Sequence, residues 1–154
     1  MEYRYEINTP LGIITLIEKS QKISHICYGV KQEFLQIATQ KTPLLERTEI
    51  QLLEYFEGKR QNFSLPLLLE GTTFQIKVWK ALQNIPYGKT KTYGQIAKEI
   101  GCEKAVRAIG GANHNNTIVI VVPCHRVIGA NGKLTGYNGG LDKKEFLLKL
   151  EKAL

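Results

Sequence analysis

The sequence predicts a chain of two small domains, an α/β domain over residues 1–71 and a mostly α-helical domain with a helix-turn-helix over residues 72–154. The first thirty residues alternate between apolar and polar side chains as short strands do, whereas two helix-capping boxes follow residue 71. Residues 1–71 carry 8 Lys/Arg against 9 Asp/Glu, and residues 72–154 carry 13 against 5, so the second domain holds the whole positive excess. We therefore expect this domain to bind a polyanion.

The first domain begins with three predicted strands: Tyr3–Asn8, Gly12–Glu18 and Lys22–Tyr28. Turn-forming residues separate them, so an antiparallel meander is expected. A helix is predicted after Pro43, with Gly58 ending it. Residues 62–71 are predicted to form an extended link to the second domain.

The second domain opens with a capping box at Thr72, followed by an apolar stripe at helical spacing. A second capping box at Thr92 starts a short helix that ends at Gly101, and another helix is predicted from Glu103 to about Ala112. Two short helices joined by a turn predict a helix-turn-helix over residues 92–113. A closing helix from about Asp142 is expected to bury four residues: Phe146, Leu147, Leu150 and Leu154.

The second helix of this motif carries small residues where a reader of base sequence would carry Asn, Gln or several Arg. Ala105, Ala108 and Gly110 permit close approach to a neighbouring surface, and Arg107 is the long basic exception. This composition favours sequence-tolerant contact with a duplex. Packing of the same small residues against the domain's own core is the structural alternative.

Cys124 and His125 are the candidate reactive pair. The apolar run Ile118–Val122 predicts a buried strand that ends beside them, which would hold a thiolate nucleophile on rigid backbone. The sequence has no C-x-x-C pair, which argues against a metal site at Cys124. A hydrolase would also need an oxyanion hole, and no local sequence signature of such an enzyme is present. A thiolate that attacks carbon on a nucleic acid also accounts for the basic domain.

Three cysteines spaced far apart argue against a disulfide framework, and a reducing cytoplasm is expected. The N-terminus lacks a secretory pattern, and no apolar run approaches the roughly 18 residues of a membrane span. Membrane association is therefore not expected.

The segment Pro123-Cys124-His125-Arg126-Val127 strongly resembles the active-site motif of the O6-alkylguanine-DNA alkyltransferases. Further motifs fall in family order: Phe74-Gln75, Val78-Trp79, Ile85-Pro86-Tyr87-Gly88, Thr92 to Ala97, Arg107 to Gly110 and Gly139-Gly140-Leu141. The resemblance is close over residues 72–154 and general over residues 1–71. It implies a ribonuclease-H-like N-terminal domain and a winged-helix-like C-terminal domain.

The resemblance also implies a reaction, the direct and irreversible transfer of an alkyl group from O6-alkylguanine, and from O4-alkylthymine, to Cys124. His125 would deprotonate the thiol through a water, and Glu151 would orient His125. Asn116 would brace the active-site turn, and Tyr93 would assist the departing base. Since displacement at carbon needs a thiolate, we expect a depressed pKa at Cys124.

For the substrate, the resemblance implies double-stranded DNA bound through the minor groove, with the damaged nucleotide flipped out. Arg107 would fill the gap in the stack, and a loop with Tyr137 and Asn138 would close over the base. The remaining DNA contacts would come from small residues: Gly94, Ala105, Ala108 and Gly110.

No cofactor is expected, and the chain is expected to act as a monomer. Some members of the family bind zinc in the N-terminal domain, but His25 and Cys27 are too few for a four-ligand site. Two rivals remain, a non-catalytic lesion sensor of the same fold and a helix-turn-helix regulator. The presence of Cys124 argues against the sensor. The second helix of the helix-turn-helix has few side chains that could read base sequence, which argues against the regulator.

Overall fold

In the computed structural model, which describes all 154 residues, the chain forms two compact units, Met1–Leu69 and Glu70–Leu154. The first is a small sheet with one long helix, and the second is mostly helical. The predicted fold class is therefore confirmed.

The first unit is built on three antiparallel strands in the order of the sequence: β1 (Glu2–Thr9), β2 (Gly12–Lys19) and β3 (Lys22–Tyr28). The predicted meander is confirmed. Helix α1 (Pro43–Phe56) lies against this sheet and buries Leu45, Leu52 and Tyr55. The side chain of Thr42 accepts a hydrogen bond from Leu45 N at 3.1 Å, which caps the helix.

Part of the predicted extended link, residues 66–68, pairs with the edge strand β3. Ile23 N donates to Pro66 O at 2.8 Å, and Leu68 N donates to Ile23 O at 2.8 Å. These bonds form a parallel bridge between Ile23 and Leu67, so the backbone of this segment satisfies polar groups of β3.

The second unit contains four helices: α2 (Thr73–Leu82), α3 (Tyr93–Glu99), α4 (Val106–His114) and α5 (Leu141–Leu150). Two short strands, β4 (Lys91–Thr92) and β5 (Val127–Ile128), pair in parallel. Both predicted capping boxes are confirmed, because Thr72 and Thr92 each exchange two hydrogen bonds with the glutamine three residues later. Helices α2, α3 and α4 pack on one another.

The helix-turn-helix is confirmed, but its second helix begins three residues later than predicted. Gly101 has φ +76°, which an L-residue rarely adopts, and Cys102 N donates back to Ala97 O at 2.8 Å. Ala105 N then donates to Cys102 O at 2.8 Å, closing a further turn before α4. Glu103 therefore lies in the turn and does not start the helix.

The predicted strand Ile118–Val122 is wrong. These residues are largely buried, as expected, but they form consecutive tight turns in which Ile120 has φ +72°. Val122 N donates to Ile118 O at 3.0 Å, so the segment closes on itself, and only Ile118 takes part in an isolated β-bridge. Cys124 consequently begins a short 3-10 turn, Cys124–Arg126, that leads into β5.

The buried face predicted for helix α5 is confirmed at Leu147 and wrong at Phe146 and Leu154, while Leu150 is half-buried. Lys144, Leu147 and Leu148 are buried, whereas Phe146 is 38% exposed and Leu154, beyond the helix end, is 59% exposed. The apolar stripe read from the sequence thus includes residues that the fold leaves at the surface. No helix in the structure combines the length and the apolar composition that a membrane span requires.

Candidate active site

Asn116 forms hydrogen bonds across the turn that precedes Cys124. Its Nδ2 donates to Val122 O at 2.7 Å and to Ile118 O at 3.3 Å, and its Oδ1 accepts from Ile118 N at 3.0 Å. One buried amide therefore satisfies three backbone groups of a segment that makes no strand ladder. The position of Cys124 follows from this bracing.

Cys124 is completely buried, and burial raises the pKa of its thiol to about 11. Hydrogen bonding from Asn116, the positive charge of Lys144 and hydrogen bonding from Tyr137 act in the opposite direction. The expected depressed pKa is therefore wrong for this resting site, because desolvation of the thiolate outweighs its partners. At neutral pH the resting thiol is therefore protonated.

His125, Arg126 and Glu151 form a buried ionic cluster that follows Cys124 in the fold. Glu151 Oε2 accepts from His125 Nε2 at 2.7 Å and from Arg126 Nη2 at 2.9 Å, and Oε1 accepts from Arg126 Nε at 2.8 Å. Arg126 Nη1 donates to Ile85 O at 2.7 Å. The two-pronged arginine contact holds the carboxylate in one orientation, and the carboxylate in turn holds the imidazole.

The charges in this cluster set the protonation of His125. Burial opposes ionisation of Glu151, but hydrogen bonds from His125 and Arg126 dominate and lower its pKa to about 2. Burial lowers the pKa of His125 below its usual value, although Glu151 opposes this shift. The neutral imidazole donates through Nε2, so Nδ1 carries the lone pair, and this buried atom has no partner within the protein. In this tautomer the lone pair of Nδ1 is available to accept a proton.

Lys144 is a buried residue of the site that sequence reasoning missed. Its Nζ donates to Val127 O at 2.5 Å, to Thr135 O at 2.8 Å and to Gly136 O at 3.4 Å. Burial lowers the pKa of this ammonium to about 8, so most molecules carry the charge at pH 7. The ammonium ties β5 to the following loop and adds positive potential at Cys124. Only its spacing hinted at burial, because it lies three residues before Leu147 of the predicted apolar stripe.

The loop of residues 135–138 carries the two proposed substrate contacts. Asn138 Nδ2 donates to Asn116 O at 3.2 Å, and Tyr137 is buried against the thiol. Tyr93, at the start of α3, contacts this loop, because its hydroxyl accepts a hydrogen bond from Thr135 Oγ1 at 3.1 Å. The structure thus ties this loop to the turn before Cys124 at Asn116 and to α3 at Tyr93.

The remaining candidate residues lie on the helix-turn-helix and not in the buried cluster. Arg107, Ala108 and Gly94 are exposed, whereas Ala105 and Gly110 are half-buried. A side chain added at Gly110 would meet nothing within 4 Å, so no intramolecular packing requires a glycine there. This face of α4 therefore offers small residues and one arginine to a partner.

No group of three or more His, Cys, Asp or Glu side chains in the structure could hold a metal ion. All three cysteines are free thiols. The chemistry available at the site is that of a buried thiol, a neutral histidine and fixed charges.

Comparison with known proteins identifies the family. Two protein-family models match the chain. The family model described as "6-O-methylguanine DNA methyltransferase, DNA binding domain" matches residues 73–153, and the one described as "6-O-methylguanine DNA methyltransferase, ribonuclease-like domain" matches residues 2–69. The methylated-DNA–protein-cysteine methyltransferase of Methanosarcina acetivorans is 48% identical over 146 residues, which cover 93% of this chain and 94% of the relative. The constitutive one of Bacillus subtilis is 45% identical over 159 residues, covering 99% and 96%.

Among solved structures, Mycobacterium tuberculosis OGT in complex with DNA matches with a TM-score of 0.92 at 43% identity. The match covers 98% of this chain and 93% of that one. The chain therefore belongs to the O6-methylguanine DNA methyltransferase family. Its activity is DNA repair by transfer of an alkyl group from methylated DNA to a cysteine of the protein.

Proposed function

We propose that Cys124 is the alkyl acceptor and that it acts once per molecule, on O6-alkylguanine and on O4-alkylthymine in double-stranded DNA. The sulfur attacks the alkyl carbon, the S–C bond forms, and the C–O6 bond breaks with its electron pair passing to the guanine. The product is a thioether, which thiol exchange cannot reverse. The buried thiol beside a neutral, carboxylate-oriented histidine is the observation that carries this proposal.

His125 takes the thiol proton at Nδ1 through a water molecule. The proton moves as the S–C bond forms, because a thiol with a pKa of about 11 holds little thiolate at neutral pH. Glu151 remains ionised throughout and stabilises the imidazolium that results. The arrangement resembles the base and orienting carboxylate of other cysteine and serine nucleophiles.

Tyr93 donates a hydrogen bond or proton to the departing guanine, while Tyr137 and Asn138 close over the flipped base. The loop that carries Tyr137 and Asn138 is tied to the nucleophile turn through Asn116 and to β5 through Lys144. This support favours a base pocket with a fixed geometry, since positioning errors of an ångström slow displacement severely.

The exposed face of α4 enters the minor groove of the duplex. Ala105, Ala108 and Gly110 permit close approach, Gly94 contacts the backbone from α3, and Arg107 occupies the gap left by the extruded nucleotide. Unstacking a base costs a few kcal/mol, which this insertion partly offsets. The net charge of +8 over residues 72–154 favours salt-dependent, sequence-tolerant affinity.

In this proposal residues 72–154 form the DNA-binding and alkyl-acceptor domain, and residues 1–71 form a supporting α/β domain without nuclease activity. The protein works as a monomer in the cytoplasm. A reducing compartment suits it, because oxidation of Cys124 would remove the acceptor.

Intact-protein and peptide mass spectrometry after incubation with excess duplex containing O6-methylguanine tests the proposal. One added methyl group, located on Cys124, is expected, with no further gain at longer times. Cys124→Ala should bind the duplex and gain nothing, whereas Cys102→Ala should be methylated as the wild type is. Methylation elsewhere, or lesion binding without a mass change, would overturn the assignment, and the second result would indicate a damage sensor.

A further inference from the structure

Asn113 joins the DNA-facing helix to the nucleophile. It lies in the last turn of α4, only 3% of it is exposed, and its Nδ2 donates to Cys124 O at 3.2 Å. The preceding residue, Ala112, accepts from Trp79 Nε1 through its carbonyl at 2.9 Å, which anchors the same turn to α2. This end of α4 is thus held on one side by the core and on the other by the peptide of Cys124.

Packing alone does not explain an amide at this position. Asn113 Oδ1 is buried and has no hydrogen-bond partner within the protein, a costly arrangement for a polar atom. Leucine has a similar shape and would avoid that cost. The other two buried side-chain atoms without partners, Thr117 Oγ1 and His125 Nδ1, also lie in the segment around Cys124. Unpaired polar atoms concentrated in one segment indicate function.

We propose that Asn113 is a positioning residue that couples α4 to Cys124. The hydrogen bond to the carbonyl of Cys124 fixes the peptide plane from which the thiol projects. When α4 engages DNA, the same bond holds the sulfur in line with the alkyl carbon. The inference rests on the proposed role of Cys124 as acceptor and of α4 as the DNA-contacting helix.

The role of Asn113 is distinct from that of Asn116. Asn116 bonds to Ile118 and Val122 and therefore shapes the turn before the nucleophile. Asn113 bonds to the nucleophile residue itself and sits inside the helix whose opposite end carries Arg107. Loss of Asn113 should leave the turn intact but release Cys124 from α4.

The test compares Asn113→Leu with the wild type in single-turnover transfer from O6-methylguanine duplex, measured over a range of DNA concentrations. We expect the rate at saturating DNA to fall about tenfold, the size expected from losing one buried hydrogen bond. The half-saturating DNA concentration should not change, and the denaturant midpoint should be equal or higher. Asn115→Leu, at the exposed C-cap of α4, is the matched control and should transfer at the wild-type rate.

A second variant, Asn113→Asp, keeps the shape and makes the donor depend on pH. A protonated carboxyl can donate to Cys124 O, whereas an ionised one cannot and repels the developing thiolate. Relative to wild type, this variant should therefore lose activity as pH rises. A merely structural role for Asn113 would not produce this pH dependence.

The outcomes distinguish failure of the proposed acceptor role of Cys124 from failure of the proposed coupling role of Asn113. If the wild type fails to methylate Cys124, the proposed function is wrong. If the wild type transfers and Asn113→Leu transfers equally fast at saturating DNA, the coupling role is overturned. A constant activity ratio between Asn113→Asp and wild type across pH would overturn it as well, even if Asn113→Leu did not fold.

Discussion

Replacing Glu151 with glutamine should destabilise the protein by about 3 kcal/mol at pH 7. The carboxylate is fully buried, and its pKa falls from 4.5 to about 2, a difference that corresponds to about 3 kcal/mol. An independent figure agrees, since removing one partner of a buried ion pair costs about 3–5 kcal/mol. Arg126 would be left with its charge buried and unneutralised.

The pH dependence gives this prediction its sharpest form. A carboxyl whose pKa is lower in the folded state stabilises fully above its unfolded pKa, and the stabilisation is lost as pH falls through the folded pKa. The difference between wild type and Glu151→Gln should therefore shrink by about 1 kcal/mol from pH 7 to pH 4, and by about 2 kcal/mol by pH 3.

Urea unfolding of both proteins across this pH range is the assay. Glu145→Gln is the matched control, because Glu145 lies on the same helix and forms only an exposed pair with Lys149. The control should differ from wild type by no more than about 0.5 kcal/mol. Equal midpoints for Glu151→Gln and wild type at pH 7, or a gap that does not change with pH, would refute the reasoning.

Three further predictions concern activity. Arg107→Ala should slow transfer from duplex DNA about tenfold or more and leave transfer from the free base unchanged, because only in the duplex does extrusion of a nucleotide leave a gap in the base stack. Lys104→Ala serves as the control. An equal loss of rate on both substrates would contradict the proposed insertion of Arg107. Lys144→Met should slow alkylation of Cys124 by iodoacetamide at pH 7, because a positive charge near the thiol is lost; a rate no lower than that of Lys143→Met would argue against it. The lowered pKa of His125 keeps the imidazole neutral in mild acid, so the pH–rate profile for transfer should stay flat down to below pH 6.5; a fall that begins above pH 7 would exclude this assignment.

Local signals in the sequence predicted the elements well. The alternation of the first thirty residues predicted all three strands, and the capping boxes at Thr72 and Thr92 marked two helix starts correctly. Such signals depend on contacts between residues close in sequence, so the chain itself carries them. The start of α4 was predicted three residues early, because Ala105 N donates a hydrogen bond to Cys102 O and closes an extra turn. No turn-forming residue in this part of the sequence indicates that turn.

Errors arose where particular hydrogen bonds of the folded chain, and not the composition of a segment, decide the outcome. Ile118–Val122 has the composition of a buried strand, yet it forms only an isolated β-bridge at Ile118, and Asn116 satisfies three of its backbone groups. Phe146 was expected in the core, whereas the fold buries Lys144 because three carbonyl groups converge on its ammonium. Composition alone cannot reveal such convergence.

The sequence by itself determined the division into two units, the basic character of the second, and the family motif that contains Cys124. These properties depend on residue type, order and short spacing. Only the tertiary structure decided the electrostatics of the site: a thiol with a raised pKa, a histidine held neutral, and Glu151 ion-paired to Arg126. The physical reason is that burial and charge pairing bring together groups 25 residues or more apart, and a pKa depends on those neighbours in space.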